Sequence, residues 1–331
     1  MEEGSSQSSA TGVKKYFLYA LGEIILVVLG ILFALQINNW NIRQGNQQVL
    51  LKSYEQLIQT LETDIQDLDR VIEVHTRAWS SVESYLNQLL SKDDFDNELL
   101  RNLRSVTSVA NYKPRLSSFE AIKLNGLELI ENVRLKDQLF WVYEEGTDDY
   151  KTKEADLKHI LQTYINPFIS KNTKVKGGNF KTFELSNFAD FANDPVYLGN
   201  TRVLHIHHFL VYEAAMKLKA QILLLQNLLQ IEKEKILGRS KSKNPLKLVN
   251  FALRAHPEAK NVFLTGTFAD WNSDKLKMQW KDDHWTLNMA LEPSEIHFYK
   301  FVVDGNSIHD LDNPNRVPSD ALGGYNSYLI P

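Results

Sequence analysis

The sequence predicts a multidomain fold: one transmembrane helix, an all-α helical bundle and a C-terminal β-sandwich. Three observations carry that expectation. Residues 16–38, YFLYALGEIILVVLGILFALQIN, are apolar apart from Glu23, Gln36 and Asn38. From Gln47 to about Leu90, and again from about Thr201 to Leu237, apolar residues recur at the helical period. After a short basic segment at 238–245 the period changes to the alternation of strands.

Residues 1–13, rich in Ser and Glu, read as a disordered cytoplasmic tail. The anchor follows at 14–42. At 1.5 Å per residue its apolar run makes about 34 Å of helix, enough to cross a hydrocarbon core with some tilt. Tyr16, Phe17, Tyr19 and Trp40 stand where interfacial aromatics belong. Lys14 and Lys15 precede the run and only Arg43 follows it closely, which predicts a cytoplasmic N-terminus and C-terminal domains outside. A cleaved signal peptide is the rival, but Leu35-Gln36-Ile37-Asn38-Asn39-Trp40 is a poor cleavage sequence. The expected location is therefore a bacterial inner membrane, single-pass, with the C-terminal domains periplasmic. Glu23 is an ionisable group within the span and a functional candidate, although its place near the cytoplasmic rim lets it snorkel. Gly22 and Gly30 leave open a homo-oligomer or a membrane-protein partner through the span.

Residues 43–237 read as the bundle. Its first helix has Leu50, Leu51, Tyr54, Leu57, Ile58, Leu61, Ile65, Leu68, Val71 and Ile72 at helical spacing. Its last long helix buries Phe209, Tyr212, Met216 and Ile222 to Leu225; the run ILLLQNLLQI between Lys219 and Glu232 is too short to span a bilayer. Shorter helices are expected at about 95–109, 117–125, 127–143 and 151–163, with a loop around Lys174–Asn179 and irregular chain over 180–199. The two long helices, comparable in length, are expected to pack antiparallel. Glu144, Glu145, Asp148 and Asp149 read as a solvated polar turn rather than a catalytic pair.

The net charge of −4 gives no nucleic-acid footprint, and the absence of cysteine excludes disulfides and thiolate chemistry. No alternation of strands and helices suggests a barrel with a carboxylate pair, so the chain reads as no enzyme, without a cofactor. His205 and His208 share a helix face and His207 points away; without further ligands they read as ordinary imidazoles, and no metal site is expected.

Residues 246–331 hold the chemistry. The segment Val262-Phe263-Leu264-Thr265-Gly266-Thr267-Phe268-Ala269-Asp270-Trp271-Asn272 is a strand entering a tight turn that displays a tryptophan. Phe298-Tyr299-Lys300-Phe301-Val302-Val303 is a strand carrying a lysine between aromatics and ending at Asp304-Gly305, a turn signal. An exposed indole beside polar side chains suits a sugar: the apolar ring face stacks and the hydroxyls take hydrogen bonds. This region resembles the glycogen-binding domain of the AMP-activated protein kinase beta subunit. More broadly it resembles carbohydrate-binding module family 48, of the type also found at the N-terminus of isoamylase and of branching and debranching enzymes. The resemblance implies an immunoglobulin-like β-sandwich that holds α-linked glucan. It places the stacking tryptophan at Trp271, the strand lysine at Lys300 and the late asparagine at Asn326, while Ser307 occupies the position of a second platform tryptophan. Trp280 or Trp285 is a compensating indole, and Trp280 joins the candidate site. The anchor, Lys15 through Ile31 and Asn38-Asn39-Trp40-Asn41, with Phe119 to Ile130, resembles an uncharacterised family of single-span proteins of Bacteroidetes-type bacteria.

The expectation is thus a membrane-anchored, non-enzymatic protein that recognises α-glucan of glycogen, starch or maltodextrin type. The alternative is an anchored scaffold or sensor whose β-sandwich binds protein and no sugar.

Overall fold

The computed structural model describes residues 8–91, 96–175, 183–185, 187–239, 246–319 and 324–331. Chain contacts separate two units, Met1–Lys52 and Ser53–Pro331. Helix α1 (Ser8–Ser91) contributes to both. In the first unit, side chains from Phe17 to Ile42 lie exposed, Leu26 at 72 %. Among the described residues this is the one helix long and apolar enough to cross a membrane, and none of its apolar window is buried within the protein.

The second unit begins with the rest of α1, where Tyr54, Leu57, Leu61, Leu68 and Val71 are buried, while Leu51, Ile58, Ile65 and Ile72, picked out by the same periodicity, flank that stripe and are only partly covered. Helices α2 (Asn97–Val106) and α3 (Ser117–Asn125) follow. Then α4 (Val133–Phe140), α5 (Thr147–Ile160) and α6 (Asn166–Asn172) join through two π-helical turns, at Trp141–Gly146 and Leu161–Ile165. The expected polar turn at Glu144 to Asp149 is therefore helical. A Cβ on Gly146 would lie 2.5 Å from Cζ3 of Trp141, so the missing side chain makes room for the indole and the helix continues with an extra residue. Glu144 ion-pairs with Lys123 at the surface, 3.1 Å apart.

A two-stranded ribbon, β1 (Thr173–Val175) with β2 (Phe183–Leu185), and α7 (Phe188–Asn193) precede α8 (Pro195–Ile236). Much of the stretch expected to be irregular is thus helical. Asp194 caps α8 by accepting from Tyr197 N at 2.7 Å, and Pro195 starts it, a fixed φ being suited to a first turn. The two long helices are antiparallel: Tyr85 meets Tyr197 (2.7 Å), Asp69 meets Lys219 (2.5 Å) and Glu55 meets Lys233 (2.8 Å).

Of the basic segment, residues 240–245 lie outside the described residues. The chain then forms two antiparallel sheets. One runs β10-β11-β8-β4-β5, with β9 on β8; the other runs β3-β7-β6. The strands are β3 (Lys247–Leu253), β4 (Val262–Gly266), β5 (Leu276–Lys277), β6 (Gln279–Lys281), β7 (His284–Leu291), β8 (His297–Val303), β9 (Asn306–Ile308), β10 (Arg316–Pro318) and β11 (Tyr325–Leu329). Phe251, Leu253 and Trp285 from the smaller sheet bury against Val262, Leu264 and Phe301 from the larger. The β-region also packs on the bundle: Tyr212, Met216 and Ala220 of α8 form a second apolar cluster with Val317 and Tyr328. Asn227 Nδ2 donates to Pro293 O (2.5 Å) and Arg134 to Ser294 Oγ (3.3 Å) across the same boundary. Bundle and β-region together form one compact unit.

Candidate ligand-binding face

The tryptophan turn leaves the end of β4. Gly266 is required there by a close approach, since a Cβ on it would stand 2.3 Å from the carbonyl oxygen of Phe298 on β8. The chain makes a single helical turn over Thr267–Ala269, with Ala269 buried. Asp270 (φ 51°) and Trp271 (φ 58°) then both adopt the left-handed conformation. Two successive side-chain-bearing residues in that region cost on the order of 1–2 kcal/mol each. Trp271 N donates to Gly266 O and Asn272 N to Ala269 O, both at 3.0 Å, which holds the turn. The outcome is an indole 42 % exposed rather than one in the core.

Lys300 sits in the middle of β8. Its neighbours Tyr299 and Phe301 face the core, so Lys300 points to the outer face of the larger sheet. Its ladder partner is Thr265 of β4, a buried threonine whose hydroxyl has no hydrogen-bond partner among the described residues. Lys300 Nζ donates to Ser319 Oγ at 3.3 Å. Asn326 on β11 pairs in register with Val317, and Tyr328 on the same face pairs with Phe298. Lys300 and Asn326 therefore lie on the outer face that, at Val317 and Tyr328, meets the bundle. Trp280 is elsewhere: it belongs to β6 of the smaller sheet, edge-on to Trp285 at 5.5 Å.

Beside Lys300 lies a cleft of about 250 Å³ whose walls include Ser307, His309, Gly324 and Tyr325. Neither Trp271 nor Asn326 lines it. The Arg316 guanidinium lies 4.7 Å from the Tyr325 ring and donates to His309 Nε2 at 3.2 Å. Burial, then the Arg316 charge, hold the His309 imidazole below its ordinary range, as an acceptor nitrogen requires. Asp304 anchors the Asp304-Gly305 turn by accepting from Asn261 N (2.9 Å) and Lys260 N (3.1 Å), and these bonds hold its carboxyl below the usual range. Arg316, His309 and Tyr325 went unmarked in the sequence reading. No local pattern marks them, because it is the pairing of β11 with β8 and of β10 with β11 that brings them near Lys300.

The histidines of the 205–208 cluster lie on α8 in the bundle. His75 of α1 and His208 of α8 meet Nδ1 to Nδ1 at 3.0 Å, and their Nε2 atoms contact Ala110 O (3.1 Å) and Val106 O (2.8 Å). Both rings are fully buried, and burial pushes both below the ordinary histidine range, His208 to about 4. Trp79 Nε1 donates to His205 Nε2 at 2.8 Å. Among the described residues no group of three His, Cys, Asp or Glu side chains is arranged to hold a metal ion.

With this geometry in place, the comparisons are specific in two regions. A family model described as the glycogen recognition site of AMP-activated protein kinase matches residues 249–330. A family of unknown function, DUF6090, matches residues 23–142. No curated protein matches the chain. The C-terminal match supports carbohydrate recognition by the β-region, a module of a non-catalytic kind.

Proposed function

We propose that this is a membrane-anchored, non-enzymatic protein that recognises α-glucan of glycogen, starch or maltodextrin type through an immunoglobulin-like sandwich at its C-terminus. The observation that carries the reading is Trp271, half-exposed on a backbone turn that costs energy to hold, within the segment matching a glycogen recognition site. Strain of this kind persists where the surroundings fix it, and a displayed indole is what a sugar face stacks on. Lys300 and Asn326 supply the polar contacts. Trp280, on the other sheet, is at most a separate contact at the module's edge.

The span at 16–38 anchors the chain, supported by its exposed apolar surface and by Lys14 and Lys15 before it. That bias places the N-terminus in the cytoplasm and the remainder in the periplasm of a bacterial cell. Protease added to spheroplasts should digest the domains beyond the span; protection until lysis would reverse the orientation.

Binding is tested with the full chain in a detergent without a sugar headgroup, on amylose resin. Wild type should be retained and Trp271→Ala should pass through. Ser307 at the expected platform position favours a second reading, a scaffold that binds protein through the same face. Passage of the wild type through the resin supports that reading instead.

A further inference from the structure

The contact between bundle and β-region is not sealed along its length. Between α1, α8 and the β10–β11 edge a cleft of about 290 Å³ opens, walled by Tyr212, Tyr325, Tyr328, Asp69, Asn315 and Arg316. It shares Asn315 and Tyr328 with a neighbouring cleft of about 440 Å³ that carries Glu62, Gln226 and Gln230. On its other side it shares Tyr325 with the cleft beside Lys300. Three clefts thus follow one another with common walls, from Lys300 on the sheet to Gln230 on α8. Each alone lies toward the small end of ligand pockets, roughly 300–1,000 Å³ being usual. Joined, they suit an extended chain.

The side chains narrow the ligand. Tyrosines offer a flat apolar face and a hydroxyl together, and amides offer a donor and an acceptor in fixed geometry. No hydrogen bond within the protein engages the Gln226 or Gln230 side chain among the described residues, so both are available. A wholly apolar ligand would leave these groups unsatisfied. The charged walls, Asp69 and Glu62 against Lys219 and Arg316, balance, so they draw in neither a polyanion nor a polycation. An uncharged polyhydroxyl chain satisfies both tests, because every sugar hydroxyl both gives and accepts.

We propose that a glucan chain held at Lys300 continues past Tyr325 into this seam, where the bundle residues Tyr212, Gln226 and Gln230 bind its further sugar units. The bundle then provides on α8 the contact area that Ser307 withholds on β9. This inference rests on the glucan-binding reading above and extends its site to the helices.

The test is calorimetric titration of the full chain, in a detergent without a sugar headgroup, with maltotriose and with maltoheptaose. The variants are the double Gln226→Ala, Gln230→Ala and the single Tyr212→Phe, which keeps the ring; Trp271→Ala serves as the site control. The double variant should bind maltoheptaose about tenfold or more weakly and maltotriose as wild type does, and Tyr212→Phe should weaken maltoheptaose alone by severalfold. If both variants bind maltoheptaose as wild type does while Trp271→Ala loses it, the seam is unused and the inference falls with the glucan reading intact. An equal loss for both sugars also overturns it, because the groove would then not be an extension. No binding of either sugar by wild type removes the glucan reading and this inference together.

Discussion

Acidification should loosen the bundle through the His75–His208 pair. Carbonyl oxygens only accept, so the contacts to Ala110 O and Val106 O place a proton on each Nε2. Two neutral rings then have none left for the 3.0 Å Nδ1 contact between them. A third proton would complete that bond, a net gain of about 1 kcal/mol. It would also bury a positive charge beside two carbonyl groups, at a cost of several kcal/mol after relaxation. Burial wins, and His208 titrates near 4 rather than at its ordinary 6.5. Glu154 pulls His75 the other way, but its carboxylate is already engaged by Lys158 at 2.7 Å. Both histidine values are lowered by folding, so the stability they contribute is complete above pH 6.5 and is lost as pH falls toward 4. At pH 5 the unfolded imidazole is charged and the folded His208 is not, which removes about 2 kcal/mol, 1.36 kcal/mol per unit over the interval from 6.5. The assay is urea unfolding of the full chain at pH 7 and pH 5, followed by circular dichroism, alongside His208→Gln. The amide still donates to Val106 O but does not titrate. Wild type should lose about 2 kcal/mol more than the variant over that interval. Equal losses, or a gain by wild type on acidification, would refute the argument.

Three further outcomes follow from particular contacts. Gly266→Ala forces a methyl to within 2.3 Å of Phe298 O, a backbone atom, so β4 and β8 must separate; unfolding should cost about 1–3 kcal/mol less, with changed fluorescence at the Trp271 turn. Val317→Asp buries a carboxylate in the apolar cluster between β10 and α8, and hydrogen exchange should rise on Tyr212–Ala220 and on β10–β11 while α4 and α5 stay protected. Ser307→Trp restores an aromatic beside Lys300 and should tighten maltoheptaose binding about tenfold, equivalent to about 1.4 kcal/mol; no gain would mean that the Lys300 cleft does not face the sugar.

The periodic elements were legible because burial follows a period. Tyr54, Leu57, Leu61, Leu68 and Val71 on α1 and Tyr212, Met216, Ile222, Leu224 and Leu225 on α8 are apolar at helical spacing and are buried there, while Ile58, Ile65, Phe209 and Leu223 at the stripes' edges are partly covered. Their antiparallel pairing followed from length alone. The π-helical turns did not show, because they depend on where one indole goes. Trp141 beside Gly146 reads as an aromatic near a breaker until the ring is seen filling the space that the glycine leaves. The start of α8 was written in Asp194-Pro195 as a cap followed by a first-turn proline, and the acidic, aromatic stretch before it masked the signal. The helical part and the β-region were expected on either side of a linker, yet they share one compact unit. The residues that join them, Tyr212, Met216, Val317 and Tyr328, are ordinary apolar residues whose partner a local pattern does not name.

The same limit governs the candidate site. Trp271 and Lys300 stood out because each breaks a local rule: an indole in a turn, and a cation inside an apolar strand. Arg316, His309 and Tyr325 break none, and they matter through distance. Arg316 stacks on Tyr325 at 4.7 Å, and Tyr325 walls both the Lys300 cleft and the seam with the bundle. Tyr325 and its neighbour Asn326 come from β11, which the ladder sets beside β8 from far along the chain. Asn326 also shows what register adds to type. Pairing with Val317 puts it, partly buried, on the sheet face whose Val317 and Tyr328 pack against α8. Through Val317 and Tyr328, the outer face that carries Lys300 and Asn326 is bounded here by the bundle. Substitutions on α8 therefore test whether the bundle contributes to the ligand-binding face.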